Sequence, residues 1–322
     1  MIDVAELISK IDEAVARGSD FLFAIDFELK NALFIPKPKE QKNILWRVGE
    51  RSNFEIDGDR KIDKLVPDFL SEQDYNTMFD VIYKGLYRGD SFLTNLTVRT
   101  ELKGEVSMKD IALGAKSKYL LYVPDKFVSF SPEPFVKIDN EGVISSYPMK
   151  GTINACVEDA ENILLNDPKE CSEHFTIVDL IRADLSRVAT NVNVDSFKYI
   201  DKLTTINGEI LQMSSKITGD LLVEAKQSFG DMLLKLLPAG SISGAPKQPT
   251  LKLIREAEKI DRGFYCGVFG YYDGKELESA VLIRYIEQSN GKYYYRSGGG
   301  ITINSDMKRE YEEVKTKVYV TK

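Results

Sequence analysis

The chain has 322 residues, of which 43% are hydrophobic and 29% are charged, and its net charge is −7. This composition is typical of a globular protein with one large domain or two small ones, and the negative charge argues against a nucleic-acid-binding surface. No run of about 18 apolar residues is present that could span a membrane. The cysteines Cys156, Cys171 and Cys266 are widely spaced and odd in number, so we expect a reducing, cytoplasmic environment.

The first half of the chain predicts helices and strands in runs. Apolar spacing predicts helices over 4–16 and 75–86, and Ser107 is the predicted N-cap of a third helix. Predicted strands cover residues 21–29, 43–48, 91–99, 119–123, 126–138 and 143–149.

The second half begins with a predicted helix over 155–165, and Asp167 and Pro168 then form the N-cap and first position of another helix. The further predicted elements are strands 197–200 and 209–217, helix 221–237, a glycine-rich loop 238–247, helix 250–260, strands 265–272, 279–287 and 292–303, and helix 305–320. Asp273-Gly274 and Asn290-Gly291 are predicted hairpin turns. Because strands and helices do not alternate strictly, the pattern favours an α+β fold.

The segment Tyr147-Pro148-Met149-Lys150-Gly151-Thr152 predicts a strand end followed by a turn that presents Lys150. A lysine becomes a nucleophile only where burial or neighbouring cations favour its neutral amine. A surface lysine beside a turn is the alternative, and this segment alone leaves both interpretations open.

The last predicted helix carries Glu310, Glu313 and Lys317 on one side. Two carboxylates one turn apart could hold a divalent cation, and the lysine one turn further could hold an anionic substrate. The alternative is a solvated helix face with an ion pair between Glu313 and Lys317.

Glu170 and Glu173 repeat this spacing on the helix that begins after Asp167. Glu170 could instead complete a capping box with Asp167, whereas Glu173 has no such local role. The only histidine, His174, could be a metal ligand, but a lone histidine is more often structural. The loop 240–247 lacks the Walker spacing, although its backbone N–H groups could face an anion.

Seven motifs in chain order resemble the chorismate-utilising enzymes, which include anthranilate synthase component I, aminodeoxychorismate synthase component I, isochorismate synthase and salicylate synthase. The motifs are Ser131-Pro132-Glu133-Pro134-Phe135, Pro148-Met149-Lys150-Gly151-Thr152, Glu173-His174 with Ile177-Val178-Asp179-Leu180, Gly240-Ser241-Ile242-Ser243-Gly244-Ala245-Pro246-Lys247, Ile283-Arg284, Gly298-Gly299-Gly300 and Tyr311-Glu312-Glu313. The resemblance covers 73–322, and residues 1–72 resemble the short N-terminal part of the same fold less well. It implies one large α+β fold of two packed β-sheets wrapped by helices.

The resemblance also implies an active site. Mg²⁺ would lie between Glu173 and Glu313, with Glu170 and Glu310 as supporting acidic positions, and would bind the ring carboxylate of chorismate. Glu133 matches the general acid that helps the C4 hydroxyl leave. Positions that match substrate-binding residues of the family are Thr152, Ser241, Tyr265, Arg284, Gly298, Gly299, Gly300 and Lys317.

Lys150 distinguishes the subfamilies, because anthranilate synthases carry alanine in this turn. Enteric-type aminodeoxychorismate synthases carry lysine, whose amine attacks C2 as the C4 hydroxyl departs. The resemblance therefore implies amination of chorismate at C4 with ammonia, giving 4-amino-4-deoxychorismate for p-aminobenzoate and folate biosynthesis. The alternatives are anthranilate synthase component I and isochorismate or salicylate synthase. In the last two an earlier lysine activates water, and Leu93 stands at the matching position here.

The sequence contains no Gly-x-Cys-x-Gly motif of the glutaminase type. The resemblance therefore implies that ammonia comes from a separate glutamine amidotransferase subunit, and we expect neither nucleic acid nor a membrane as a partner. A non-catalytic regulator that binds chorismate or a metal is the alternative from another class. The sequence departs from the family pattern at Leu93, Gln212, Ala183 and Asn304, none of which is an expected metal carboxylate.

Overall fold

The computed structural model describes residues 1–60, 62, 64–205 and 208–320. Its helices are α1 (Val4–Ala16), α2 (Glu72–Arg88), α3 (Met108–Gly114), α4 (Ala160–Asn166), α5 (Pro168–Leu185), α6 (Val223–Gln227), α7 (Phe229–Leu236), α8 (Gly240–Ser243), α9 (Lys247–Glu258) and α10 (Met307–Thr316), with a 3-10 turn at Pro38–Glu40. None of the described helices is both long enough and apolar enough to cross a membrane.

The strands form two sheets, and the described pairings are antiparallel. The strands are β1 (Ile2–Asp3), β2 (Phe21–Ile25), β3 (Asn31–Pro36), β4 (Leu45–Val48), β5 (Arg51–Ser52), β6 (Pro67–Asp68), β7 (Leu93–Leu102), β8 (Tyr119–Val123), β9 (Phe127–Ser131), β10 (Pro134–Ile138), β11 (Val143–Ser146), β12 (Met149–Asn154), β13 (Ala189–Thr205), β14 (Gly208–Leu221), β15 (Gly244–Ala245), β16 (Val268–Tyr272), β17 (Leu277–Val281), β18 (Tyr285–Ser289) and β19 (Lys292–Ile301). The first sheet has the order β1-β3-β2-β16-β17-β10-β11-β14-β12, with β13 beside β14. The second has the order β15-β7-β19-β18-β9-β8-β4-β5, with β6 beside β7.

The main core lies between the two sheets. Trp46 on β4 is fully buried and stacks on Tyr271 of β16, with 4.6 Å between the ring centroids. Buried residues of α1 and α7, such as Leu7 and Met232, extend this core around the first sheet. Helices α2, α9 and α10 pack on the second sheet in a separate cluster, and α3 packs on it in another. The prediction of an α+β fold with two packed sheets wrapped by helices is confirmed.

Two predicted strands are each divided between the sheets. The segment predicted over 126–138 forms β9 in the second sheet and β10 in the first, and the segment over 279–287 contributes to β17 and β18 in the same way. The two crossings run side by side, because Phe130 N donates to Arg284 O at 3.0 Å and Val281 N donates to Glu133 O at 3.3 Å. Glu133 and Arg284 therefore lie together where the sheets separate.

Local signals for helix starts are confirmed. The side chain of Ser107 accepts a hydrogen bond from Asp110 N, and that of Asp167 accepts one from Glu170 N at 2.9 Å. Pro168 is the first residue of α5. These starts were predictable because a cap depends on neighbours within one helical turn.

Several predicted bounds were wrong. The predicted strand 143–149 is interrupted at 147–148, where Pro148 cannot donate to the ladder, and becomes β11 and β12. The strands predicted at 197–200 and 209–217 are parts of the long hairpin β13–β14, whose polar exposed residues hide it from sequence patterns. The helix predicted over 221–237 is interrupted at Ser228, β3 was not predicted, and the loop 238–247 contains α8 and β15.

Candidate active site

Strand β12 brings Lys150 against helix α5. Lys150 Nζ lies 3.5 Å from Glu173 Oε2, and the two side chains are 30% and 18% exposed. Gly151 has a φ of 77°, and a Cβ built on it would lie 3.0 Å from Glu170 Oε2. The glycine therefore permits the close approach of β12 to α5. Lys150 is a half-buried, paired lysine, and the side chain of Glu170 is directed towards this strand.

Strand β19 lies beside the α10 glutamates and the Lys150 amine. A Cβ on Gly299 would lie 3.4 Å from both Glu310 Oε2 and Glu313 Oε1, and a Cβ on Gly300 would lie 3.8 Å from Lys150 Nζ. The α10 carboxylates and the Lys150 amine therefore lie beside adjacent glycines of β19, and Glu173 of α5 pairs with that amine. We call this space, bounded by Lys150, Glu173, Gly299 and Glu313, the cleft.

The carboxylates in the cleft affect one another. Burial raises the pKa of Glu170, and the negative charge of Glu173 raises it further. Burial also raises the pKa of Glu310 against a hydrogen bond from Ser305, and the charges of Glu313 and Glu173 add to that rise. Since Glu173 is on α5 and Glu310 is on α10, this repulsion acts between the two helices. A cation in the cleft would relieve it.

Lysines partly neutralise these charges. Lys317 Nζ lies 2.6 Å from Glu313 Oε1 and donates to Gly298 O at 2.8 Å. Partial burial alone would raise the pKa of Glu313, but the charge and hydrogen bond of Lys317 bring it below its ordinary value. Burial lowers the pKa of Lys317, although the negative charge and the hydrogen bond of Glu313 partly offset this shift. Lys169 Nζ lies 3.8 Å from Glu173 Oε1, a contact that the sequence analysis missed although the i,i+4 spacing was visible.

The cleft can be compared with the needs of a divalent cation. In the part of the chain that the structure describes, no three His, Cys, Asp or Glu side chains converge as a ready-made metal cluster. Glu310 and Glu313 of α10 nevertheless present carboxylate oxygens near Gly299, and Glu173 of α5 is close enough for its charge to raise the pKa of Glu310. Carboxylate oxygens are the donors that Mg²⁺ prefers. The residues that could hold such an ion are Glu173 and Glu313, with Glu170 and Glu310 beside them.

Glu133 lies at the first crossing between the sheets. Burial raises its pKa, while a hydrogen bond from Ser241 and the positive charges of Lys150, Arg284 and Lys317 oppose the rise. The net upward shift keeps its carboxyl protonated to higher pH than an ordinary glutamate, as a proton donor requires. Ser241 reaches Glu133 from the short helix α8.

Arg284 lies at the second crossing, with a φ of 51° in the left-handed region. Such a conformation in a non-glycine residue is strained and persists only where surrounding contacts fix it. Arg284 Nε donates to the Tyr319 hydroxyl at 3.2 Å, and its guanidinium lies 5.2 Å from the centre of that ring. Tyr319 was not found from the sequence, which carries no signal for this contact. Arg284 and Lys317 together offer cations to an anionic substrate.

The other predicted site residues lie around this centre in different environments. Tyr265 is 4% exposed and packs on Tyr285, and burial raises its pKa well above the ordinary value. Thr152 is exposed on β12, opposite Gln212 of β14. Leu93 Cδ1 would lie 3.0 Å from a Cβ on Gly300, so this departure from the family pattern is close to the Lys150 amine.

His174 is on the buried side of α5. It is fully buried, and its Nε2 lies 2.7 Å from the hydroxyl of Ser215 on β14. Burial lowers its pKa to about 4. A buried, neutral imidazole that is hydrogen-bonded to a strand residue fits the structural role that the sequence analysis gave as the alternative to a metal ligand.

Comparisons with known proteins place this geometry in a family. Residues 28–322 match the model of the chorismate binding enzymes. The chain therefore belongs to the chorismate-binding enzyme family, and it is an enzyme of the class that acts on chorismate.

Two relatives that are similar to this chain in sequence carry different names. The chain is 46% identical over 301 residues to an "Uncharacterized PabA-like protein" of Haemophilus influenzae, covering 93% of this chain and 92% of that protein. It is 32% identical over 266 residues to anthranilate synthase component 1 of Mycobacterium bovis, covering 76% of this chain and 50% of that protein. The chain thus spans about half the length of this anthranilate synthase.

Solved structures show the same fold. Anthranilate synthase component I from Streptococcus pneumoniae superposes with a TM-score of 0.67 and 27% identity, covering 80% of this chain and 59% of that one. MenF, the menaquinone-specific isochorismate synthase of Escherichia coli, superposes with a TM-score of 0.70 at 16% identity. The superposition covers 97% of this chain and 80% of that one. The second likeness concerns the fold alone.

Proposed function

We propose that this chain is the chorismate-aminating component of an aminodeoxychorismate synthase, which converts chorismate and ammonia to 4-amino-4-deoxychorismate. The observation that carries the proposal is the half-buried amine of Lys150 beside Gly300 and Glu173, in a chain of the chorismate-binding family. An amine in this position is suited to attack on the ring.

The chemistry has two displacements. The neutral amine of Lys150 attacks C2, the two conjugated double bonds of the ring move to C1=C6 and C4=C5, and the C4–O bond breaks while Glu133 donates a proton to the departing hydroxyl group, which leaves as water. The proton lost by the substituted lysine nitrogen balances that donation. Ammonia then attacks C4, both double bonds shift back to C5=C6 and C1=C2, the C2–N bond breaks, and a proton passes from the new amine to the departing nitrogen of Lys150. The enolpyruvyl group stays on the ring.

Mg²⁺ is part of this proposal. Glu173 and Glu313 are the proposed ligands, supported by Glu170 and Glu310, and the bound ion supplies positive charge for the ring carboxylate of chorismate. The oxygen donors around Gly299 and the repulsion between the two glutamate pairs support this assignment. The proposed substrate contacts are Thr152, Ser241, Tyr265, Arg284, Gly298, Gly299, Gly300 and Lys317.

The proposed ammonia source is a separate glutamine amidotransferase subunit, and the proposed setting is p-aminobenzoate and folate biosynthesis in the cytoplasm. The family resemblance and the names of the PabA-like relatives support it. The isolated chain should then use ammonium but not glutamine. Glutamine-dependent turnover without an added subunit would contradict this part.

Product analysis tests the proposal. The purified chain is incubated with chorismate, Mg²⁺ and ammonium, and the products are analysed by mass spectrometry together with a pyruvate assay. We expect 4-amino-4-deoxychorismate without pyruvate. Isochorismate, salicylate or no turnover would contradict the proposal.

Anthranilate synthase component I is the second candidate, because relatives at 32% identity carry that name. It would release pyruvate and form anthranilate in the same assay. Lys150 argues against it, since the resemblance gives anthranilate synthases an alanine in this turn.

A further inference from the structure

The two glutamates proposed as metal ligands already have cationic partners. Glu173 Oε2 lies 3.5 Å from Lys150 Nζ, and Glu313 Oε1 lies 2.6 Å from Lys317 Nζ. The proposed nucleophile is therefore also the counter-ion of a proposed metal ligand. A divalent ion at Glu173 would compete with an ammonium group for the same carboxylate.

The lysines around these carboxylates differ in how firmly they are held. Lys317 has a second partner, the carbonyl oxygen of Gly298 at 2.8 Å, which keeps it in place beside Glu313. Lys169 is 61% exposed, so solvent screens its contact with Glu173. Lys150 is only 30% exposed, and its described ion pair is with Glu173. Lys150 is thus the lysine whose position depends most on this carboxylate.

We propose that Lys150 is the built-in counter-cation of Glu173 and is released when a divalent cation binds there, so that metal loading and liberation of the nucleophile are coupled. The inference rests on the proposed function, since it takes the metal ligands and the nucleophile from it. Two cations on one carboxylate repel each other, and the divalent ion has the greater charge. Without the metal, the Lys150 side chain stays paired with Glu173, 3.5 Å from its Oε2.

Calorimetric titration of the substrate-free protein with Mg²⁺ tests the competition. Lys150→Met removes the competing ammonium group and retains an unbranched apolar side chain. Removal of a partly buried ion pair should tighten Mg²⁺ binding by roughly three- to tenfold relative to wild type. Lys169→Met is the matched control, because it removes one positive charge beside the same carboxylate from an exposed position. It should change the affinity by less than about twofold.

Amine labelling of the wild-type chain gives a second readout that needs no variant. Peptide mass spectrometry follows modification of Lys150 by a small amine-reactive reagent with and without Mg²⁺, and Lys103, paired with Asp68 at 3.2 Å on the surface, serves as the reference. We expect Mg²⁺ to increase labelling of Lys150 several-fold and to leave Lys103 unchanged.

The outcomes separate the two proposals. If Mg²⁺ binds Lys150→Met no more tightly than wild type or Lys169→Met, and does not increase labelling of Lys150, the coupling is wrong while the metal site stands. If neither wild type nor Lys150→Met binds Mg²⁺, the coupling and the metal assignment of the proposed function both fail.

Discussion

Glu133 shows how the environment of a single residue can prepare it for chemistry. It lies at the crossing between the sheets, where burial raises its pKa despite three nearby cations. Lys150 and Glu173 show the opposite situation, because each charge has a partner 3.5 Å away. The carboxyl of Glu133 therefore tends to retain its proton, whereas the amine of Lys150 is paired with a carboxylate.

We predict that Glu133→Gln slows amination by about 10²–10⁴-fold without unfolding the protein. The protonated form of Glu133 is lost as pH rises through its raised pKa, so kcat of the wild type should fall along that limb. The profile is measured at a constant concentration of neutral ammonia, since ammonia also titrates. A falling limb of the same position in Glu133→Gln would show that another group is the acid.

His174 gives a prediction about stability. Its pKa falls from an ordinary 6.5 to about 4 in the folded chain, so between these values the unfolded chain binds more protons. The free energy of unfolding should therefore decrease as pH falls from 6.5 to 4, by at most about 1.4 kcal/mol per pH unit from this group. Urea unfolding of wild type and His174→Gln over this range measures the difference, and parallel curves would contradict it.

Contacts within one helix were predictable from the sequence, whereas contacts between elements were not. Residues in one helix, such as Glu170 with Glu173 or Glu310 with Glu313, could be paired from spacing alone because the helix repeat fixes their relation. The approach of the α5 and α10 glutamates to one another depends on tertiary packing and became an expectation only through the family resemblance. The crossing at Glu133 was hidden because the strand-like residues on both sides of it read as one strand whichever sheet each part enters.

Gly298 and Gly299, which are neighbours on β19, differ in the space around them and give a matched pair of predictions. A Cβ on Gly298 would lie 2.5 Å from Leu96 O, whereas the atoms nearest to one on Gly299 are the Glu310 and Glu313 carboxylate oxygens at 3.4 Å. Gly298→Ala should therefore lower the free energy of unfolding by about 1–3 kcal/mol. Gly299→Ala should leave stability nearly unchanged but weaken Mg²⁺ binding and activity. Urea unfolding and calorimetry check both variants, and an unstable Gly299→Ala with normal metal affinity would contradict this assignment.

At the scale of the whole molecule, the N-terminal part and the rest of the chain share one core. Trp46 belongs to residues 1–72, for which we expected a weaker family match, yet it stacks on Tyr271 of the other sheet. Which strands would face each other was not predictable from the sequence, because nothing local distinguishes the partners of a fully buried strand such as β4. The division of the chain at residue 72 stays a prediction about sequence likeness.

We predict one cooperative unfolding transition, because the two sheets share a core. Trp46→Ala should lower the free energy of unfolding by about 3–5 kcal/mol, because a large cavity would open between the sheets. Denaturation of both proteins is followed by circular dichroism, and that of wild type also by tryptophan fluorescence. These curves give the number of transitions and the free energy of unfolding. Two separate transitions in wild type, or a change in Trp46→Ala confined to one of them, would show that the sheets do not share a core.

The central claim is that Lys150 is the nucleophile, and the most direct measurement combines a rate with a covalent mass. With chorismate, Mg²⁺ and ammonium, Lys150→Ala and Lys150→Arg should both aminate at least roughly a hundredfold more slowly than wild type, since arginine keeps the charge but supplies no amine nucleophile. With ammonium omitted, wild type should carry a chorismate-derived mass on the peptide that contains Lys150. Amination by Lys150→Ala at the wild-type rate, with no mass trapped on Lys150, would mean that ammonia attacks bound chorismate directly.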